Sequence, residues 1–202
     1  MADRLQGWPD TCCGWLLRHG MTEGNARGLV QGQGAGTGLS AAGRGQVEAA
    51  AAAVLGAPVR PVSIVSSDLE RCRQTAAVLA EALELPVRYD ADLRERSFGV
   101  LEGRLWADVP PDAVGIRDGV VTGPASRPRD GESVADLASR VSRALRRTAR
   151  YPGPVLIVTH GGPIRVAAGL RQGRFHGWPP VPHARPVPFC LGQLAAEEAA
   201  LA

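Results

Sequence analysis

Two of the four histidines in this 202-residue chain follow the same kind of apolar run. Arg18-His19-Gly20 comes after Trp15-Leu16-Leu17, and His160-Gly161-Gly162 comes after Val155-Leu156-Ile157-Val158-Thr159. A third polar cluster, Ser66-Ser67-Asp68 with Arg71 just beyond it, closes the run Ser63-Ile64-Val65. In parallel α/β sheets, ligand sites gather outside the carboxyl ends of the strands. If these runs are parallel strands, two imidazoles and two guanidiniums converge on one rim. Guanidinium matches the oxygens of a phosphate with paired hydrogen bonds and stays charged at any working pH. Backbone amides at a helix start add partial positive charge, and a neutral imidazole attacks phosphorus. Together these residue types describe a pocket for a phosphoryl group that carries its own nucleophile.

The elements that would position them alternate. Residues 13–18 and 61–66 read as short buried strands, 87–89 as a third, and 155–159, a continuous apolar run rich in β-branched residues, as the clearest. Ser40 is expected to cap an alanine-rich helix to about residue 55. Asp68 is expected to cap a second over 69–84, with Leu69, Cys72, Ala76, Leu79 and Leu83 on one face. Ser133 caps a third to about residue 150, and Pro163, at a first helical position, opens a fourth. Residues 92–130 are rich in Gly, Pro and charge and read as a long excursion, a length uncommon unless the loop serves a site. The proline-rich stretch 173–188 reads as a loop or extended cover, and residues 189–195 as a final strand. The expectation is an α/β fold: a three-layer α/β/α single domain over residues 1–202, with a mostly parallel central sheet and an N-terminal extension over 1–12.

The stretch Arg18-His19-Gly20-Met21-Thr22-Glu23-Gly24-Asn25 resembles the R-H-G-x-T-x-x-N signature of the histidine phosphatase superfamily, in its phosphoglycerate-mutase-like branch. The resemblance continues in order through VQGQGAGTGLSAAGRGQ at 30–46, SSDLERCRQTA at 66–76, LRERSFGVLEG at 93–103, DGES at 130–133 and VTHGG at 158–162. It implies a phosphohistidine nucleophile at His19 and a clamp on the phosphoryl oxygens from Arg18, Arg71 and His160. It implies a further phosphate-pocket hydrogen bond from Asn25, and contacts to phosphate or substrate at Gln31, Gly32 and Gly161. Glu95 matches the carboxyl that protonates the leaving alcohol and then takes a proton from water. Among neighbouring acids, Asp68 is better explained as a helix cap and Glu102 as a loop anchor, which leaves Asp92 and Glu132 as the other rivals. His19 must be neutral on its attacking nitrogen, so a neighbour should hold the other as a donor.

The implied activity is a metal-independent phosphomonoesterase acting on a small phosphorylated metabolite without a cofactor. A cofactor-dependent mutase is the alternative, although mutases of the family usually carry a long insertion between the acid and the second histidine, and here that interval is short. A non-catalytic phosphate-binding domain would be expected to lose one of His19, Arg71, Glu95 or His160. His176 and His183, in the proline-rich stretch, are expected in a solvated loop or substrate cover, and the arginines of 140–150 on a solvated helix face. All 23 basic residues are arginine, and the net charge of +3 suits a small anion without calling for nucleic acid. Cys12, Cys13, Cys72 and Cys190 form no C-x-x-C pair, so neither a metal ribbon nor a disulfide framework is implied. No apolar run suggests a leader or a membrane span, so a cytoplasmic protein is expected, and a homodimer is common among relatives.

Overall fold

The structure is a computed structural model that describes residues 14–34, 36, 38–117, 120–172 and 180–191. In chain order its elements are β1 (Gly14–Arg18), α1 (Glu23–Ala26), α2 (Ala41–Leu55), β2 (Ser63–Ser66), α3 (Glu70–Leu83), β3 (Val87–Tyr89), β4 (Ile116–Arg117), β5 (Val120–Val121), α4 (Val134–Thr148), β6 (Val155–Thr159), α5 (Gly161–Gln172) and β7 (Pro186–Phe189). The main sheet runs β3-β2-β6-β1-β7, with β7 alone antiparallel. β6 lies in the middle and is buried along its whole length.

Side chains alternate across a strand, so a central strand must be apolar on both faces. Trp15, Leu17, Leu156 and Val158 pack on one side with Val47 of α2 and Cys72, Ala76 and Leu79 of α3. Leu16, Val155 and Ile157 pack on the other with Leu137, Val141 and Leu145 of α4 and Val166 of α5. Each fully buried aliphatic side chain contributes about 1.5–3 kcal/mol. The sheet with helices on both faces is the three-layer arrangement expected from the alternation of signals.

Registers place the strand ends in step. Arg18 is opposite Thr159 and Ser66 is opposite Val158. The ladder continues past the strands through His19 N to Thr159 O at 2.9 Å and Ser67 N to Val158 O at 2.9 Å. His19, Ser67 and His160 therefore leave adjacent strands side by side. Gly20 is needed here because α2 crosses directly above it: a Cβ on Gly20 would press on the Gly43 carbonyl, and one on Gly43 on the Met21 carbonyl. The close approach is helix against strand end.

Other expectations need correction. Ser40 and Ser133 cap α2 and α4 as the sequence suggests, but Asp68 does not cap α3. The cap residue is Leu69, without a side-chain hydrogen bond, and the Asp68 carboxylate instead takes both nitrogens of Arg94, at 2.6 and 2.5 Å. α5 starts at Gly161, so Pro163 is its third residue, still in the first turn where a missing N–H costs nothing. The last strand begins at Pro186, inside the stretch read as a loop. Its prolines are tolerated because β7 is an edge strand. The first twelve residues, 173–179 with His176, and 192–202 lie outside the described residues.

The excursion is mostly 3-10 turns and one two-stranded hairpin, β4 with β5, as its composition suggests. Polar ties dock it to the sheet. Thr159 donates to Leu93 O at 2.7 Å. Arg140, placed by sequence on a solvated face, is buried. Its guanidinium meets both Glu132 oxygens at 2.7 Å and the carbonyls of Asp92, Arg94 and Glu95 at 2.6–2.9 Å. Arg143 and Arg147 do face solvent, paired with Asp90 and Asp92. Removing one partner of a buried, hydrogen-bonded pair leaves the other uncompensated. We expect Arg140→Ala to cost about 2–4 kcal/mol in urea unfolding, and an unchanged midpoint would contradict this anchoring role.

Candidate active site

A cavity of about 460 Å³ opens at the carboxyl ends of β1, β2 and β6. Arg18, His19, Asn25, Gln31, Gly32, Arg71, Glu95 and Gly161 all line it. Eight of the nine residues singled out from sequence thus share one surface. The ninth, His160, is fully buried behind it.

His19 is buried, and its Nδ1 donates to Gly20 O at 2.7 Å. A carbonyl only accepts, so the proton of the neutral ring sits on Nδ1 and Nε2 keeps its lone pair. Burial, then the charges of Arg71 and Arg18, push the His19 imidazole well below the ordinary histidine range. His160 is held in the opposite tautomer. Arg71 Nε donates to its Nδ1 at 3.2 Å, so its Nε2 carries the proton, 2.9 Å from Ser67 Oγ. Burial followed by Arg71 lowers this imidazole as well. The two rings meet nearly edge to face, with centroids 5.1 Å apart.

Arg71 also donates through NH2 to Gly32 O at 2.8 Å, and Arg18 through NH1 to Val181 O at 2.7 Å. Arg18 Nε is buried and has no protein partner. Gly32 has φ +51, and a Cβ there would run into Glu102, so the residue must be glycine for its carbonyl to face Arg71. Glu102 accepts from Gln33 N at 3.0 Å and Phe98 N at 2.9 Å, which makes it the loop anchor anticipated. The Asn25 side-chain oxygen is taken by Thr22 N and Oγ1, at 3.2 and 2.9 Å, in the cap of α1. Asn25 therefore presents its amide to the cavity. Gln31 is braced by Thr22 Oγ1 at 3.1 Å.

Glu95 sits at the N-terminus of α5. Its Oε1 accepts from Gly162 N at 3.1 Å and Arg96 N at 2.9 Å. Its sequence rivals are all committed elsewhere: Asp68 to Arg94, Asp92 to Arg143 and Arg147, Glu132 to Arg140. Among the described residues no group of three or more His, Cys, Asp or Glu side chains is placed to hold a metal ion, and no helix is long and apolar enough to cross a membrane.

Sequence reasoning missed four neighbours. Arg165, one turn into α5, lines the cavity, and the spacing from Gly161 is the signal that could have found it. Ser67 Oγ accepts from the Nε2–H of His160 at 2.9 Å. Cys72 packs its Sγ 3.3 Å from His160 Nε2, and burial pushes its thiol up to about 12. His183, expected in a solvated loop or substrate cover, is half-buried. Its Nδ1 lies 3.0 Å from His19 O and its ring 5.4 Å from that of His19. The next residue, Ala184, has φ +48 and donates to Arg18 O at 2.8 Å. Only the antiparallel return of β7 brings this turn to β1, which no local pattern announces.

A family model described as histidine phosphatase superfamily (branch 1) matches residues 15–182. The chain belongs to the histidine phosphatase superfamily. A glucosyl-3-phosphoglycerate phosphatase of Mycobacterium tuberculosis (strain CDC 1551 / Oshkosh) is 38% identical over 175 residues, covering 81% of this chain and 77% of the relative. A probable phosphoglycerate mutase GpmB of Proteus mirabilis is 36% identical over 160 residues, covering 79% and 70%. The solved structure of a mycobacterial glucosyl-3-phosphoglycerate phosphatase complexed with VO3 superposes with a TM-score of 0.73 at 33% identity, covering 89% of this chain and 98% of that one.

The two buried neutral histidines make stability depend on pH in a fixed sense. Above pH 7 they are uncharged in both states and contribute no pH dependence. As pH falls below 6.5 the unfolded chain binds protons that native His19 and His160 refuse, so stability drops by up to about 1.4 kcal/mol per pH unit for each. The urea midpoint is expected to decline between about pH 6.5 and 5, ahead of carboxylate titration. A midpoint constant over that window would show that the imidazoles are not held neutral.

Proposed function

We propose that this histidine phosphatase hydrolyses small phosphomonoesters by moving the phosphoryl group first to His19 Nε2 and then to water, with no metal taking part. The observation that carries the reading is the state of His19: a buried neutral ring, its Nδ1 proton tied to Gly20 O, at the floor of a cavity flanked by two guanidiniums. Arg18 and Arg71 pair with the non-bridging oxygens and take up the charge that spreads over them in the transition state. Asn25, Gln31, Gly32 and Gly161 complete the cradle. His160, behind the cavity wall, keeps the Arg71 guanidinium in place and packs against the His19 ring.

In the first step the Nε2 lone pair attacks phosphorus while the ester P–O bond breaks, and Glu95 gives its proton to the departing oxygen. In the second, the Glu95 carboxylate takes a proton from water, the water oxygen attacks phosphorus, and the P–N bond breaks to release phosphate. Gly162 N and Arg96 N hold the Glu95 carboxyl at the cavity edge. The M. tuberculosis relative's name supports hydrolysis. The mutase-named relatives fit the alternative, in which this chain's phosphoenzyme would return the group to a substrate hydroxyl in place of water. The short interval between Glu95 and His160 supports water.

Phosphate release from p-nitrophenyl phosphate is expected to continue in excess chelator and to fall about a thousandfold or more in His19→Ala. A variant that retained full rate would remove His19 from the mechanism. With Glu95→Gln we expect turnover of alkyl phosphates to fall about a hundredfold, and that of p-nitrophenyl phosphate, whose leaving group needs no proton, much less. Equal losses on both would argue against proton donation by Glu95.

A further inference from the structure

The cavity is divided in its chemistry. Beside the strand ends lie Arg18, His19, Arg71, Glu95, Gly161 and Arg165. Across from them the lining side chains are Leu29, Phe98, Trp106, Val109, Val114 and Ile116, with Arg96 among them. This apolar wall comes from the excursion and the segment before Gln31, and the two are stitched together by backbone hydrogen bonds. Val30 N donates to Arg104 O at 2.9 Å, Gly103 N to Val30 O at 2.8 Å and Trp106 N to Gly28 O at 2.9 Å. The same segment carries Gln31 and Gly32, so the apolar wall is fixed relative to the phosphate end. Trp106 stands edge to face with Phe98, centroids 5.1 Å apart, and remains 46% exposed.

We propose that the preferred substrate is the phosphate monoester of an apolar, ring-bearing alcohol whose ring lies against Trp106 and Phe98. The proposal rests on the phosphatase reading above and adds the chemical class of the leaving alcohol. Trp106 offers an open aromatic surface where a ring stacks or meets it edge-on. Among the described residues, no lining cation is free on that side to take a carboxylate or second phosphate. Arg96, whose guanidinium lies 5.3 Å from the Phe98 ring, commits Nε, NH1 and NH2 to the carbonyls of Glu132, Val114 and Ser126. Arg165 reaches toward Gly161, at the phosphate end. A cavity of about 460 Å³ is within the range that encloses small organic ligands. Charge is thus provided for the phosphoryl group, and apolar surface for what it is attached to.

The test is steady-state hydrolysis of matched pairs of esters by the whole chain. 2-Naphthyl phosphate and phenyl phosphate have similar leaving groups and differ in apolar area, while hexyl phosphate and 3-phosphoglycerate are both alkyl esters and differ in charge. We expect kcat/KM to favour 2-naphthyl over phenyl phosphate by about tenfold or more, and hexyl phosphate over 3-phosphoglycerate by a similar factor. Trp106→Ala should remove most of the naphthyl advantage, lowering kcat/KM about tenfold more for 2-naphthyl than for phenyl phosphate, with an unchanged far-ultraviolet circular dichroism spectrum reporting that the variant is folded. Equal rates within each pair, or 3-phosphoglycerate as the better substrate, would overturn the proposal and leave the phosphatase reading standing. Loss of both aryl activities in Trp106→Ala would be resolved by Trp106→Leu, which keeps apolar bulk: recovery of phenyl but not naphthyl turnover supports ring recognition, and recovery of neither overturns it. No release from any ester would overturn the phosphatase reading, and this proposal with it.

Discussion

Two guanidiniums and two imidazoles share a buried space, and they are compatible only if the imidazoles carry no charge. Burial and the arginines both act in that direction. The same arginines depress the basicity of their neighbours and orient themselves on backbone carbonyls and on His160. Neutrality of His19 is therefore a property of the cluster rather than of any one contact. The parallel pairing of β1 and β2 with β6 is what brings the cluster together, because it ends three strands at one level.

The positions of the strands could be read from the sequence because a central parallel strand is apolar on both faces and leaves an unbroken run such as Val155–Thr159. The helix starts at Ser40 and Ser133 could be read because each side chain bonds to its own helix. Asp68 was misread for the same reason. It has the residue type of a cap, but Arg94, distant in sequence, competes for its carboxylate and wins with two short charge-assisted bonds. Arg140 looked like one of a row of surface arginines, and nothing local shows that carbonyls of the excursion converge on it.

The site follows the same division. Residues at strand ends and in the ordered blocks were found, since their spacing is local and their blocks resemble a family. His183 was not, because its place depends on β7 returning antiparallel along β1, and a left-handed Ala184 turns the ring toward His19. The apolar side of the cavity was hidden too. Leu29, Phe98 and Trp106 are scattered through stretches that read as irregular, and only the stitching of the excursion to the segment before Gln31 makes them one surface.

Cys72 lies behind the cavity lining, its Sγ against the His160 ring. Nucleophilic and oxidisable sulfur is the thiolate, and a thiol whose ionisation is pushed up to about 12 holds almost none of it at neutral pH. Thr159 O accepts its proton at 3.5 Å, and no surface of the residue meets solvent. Peroxides and alkylating agents that silence a phosphatase working through a cysteine thus find no purchase at Cys72. In the proposed mechanism the nucleophile is an imidazole nitrogen, which has no thiol chemistry to lose.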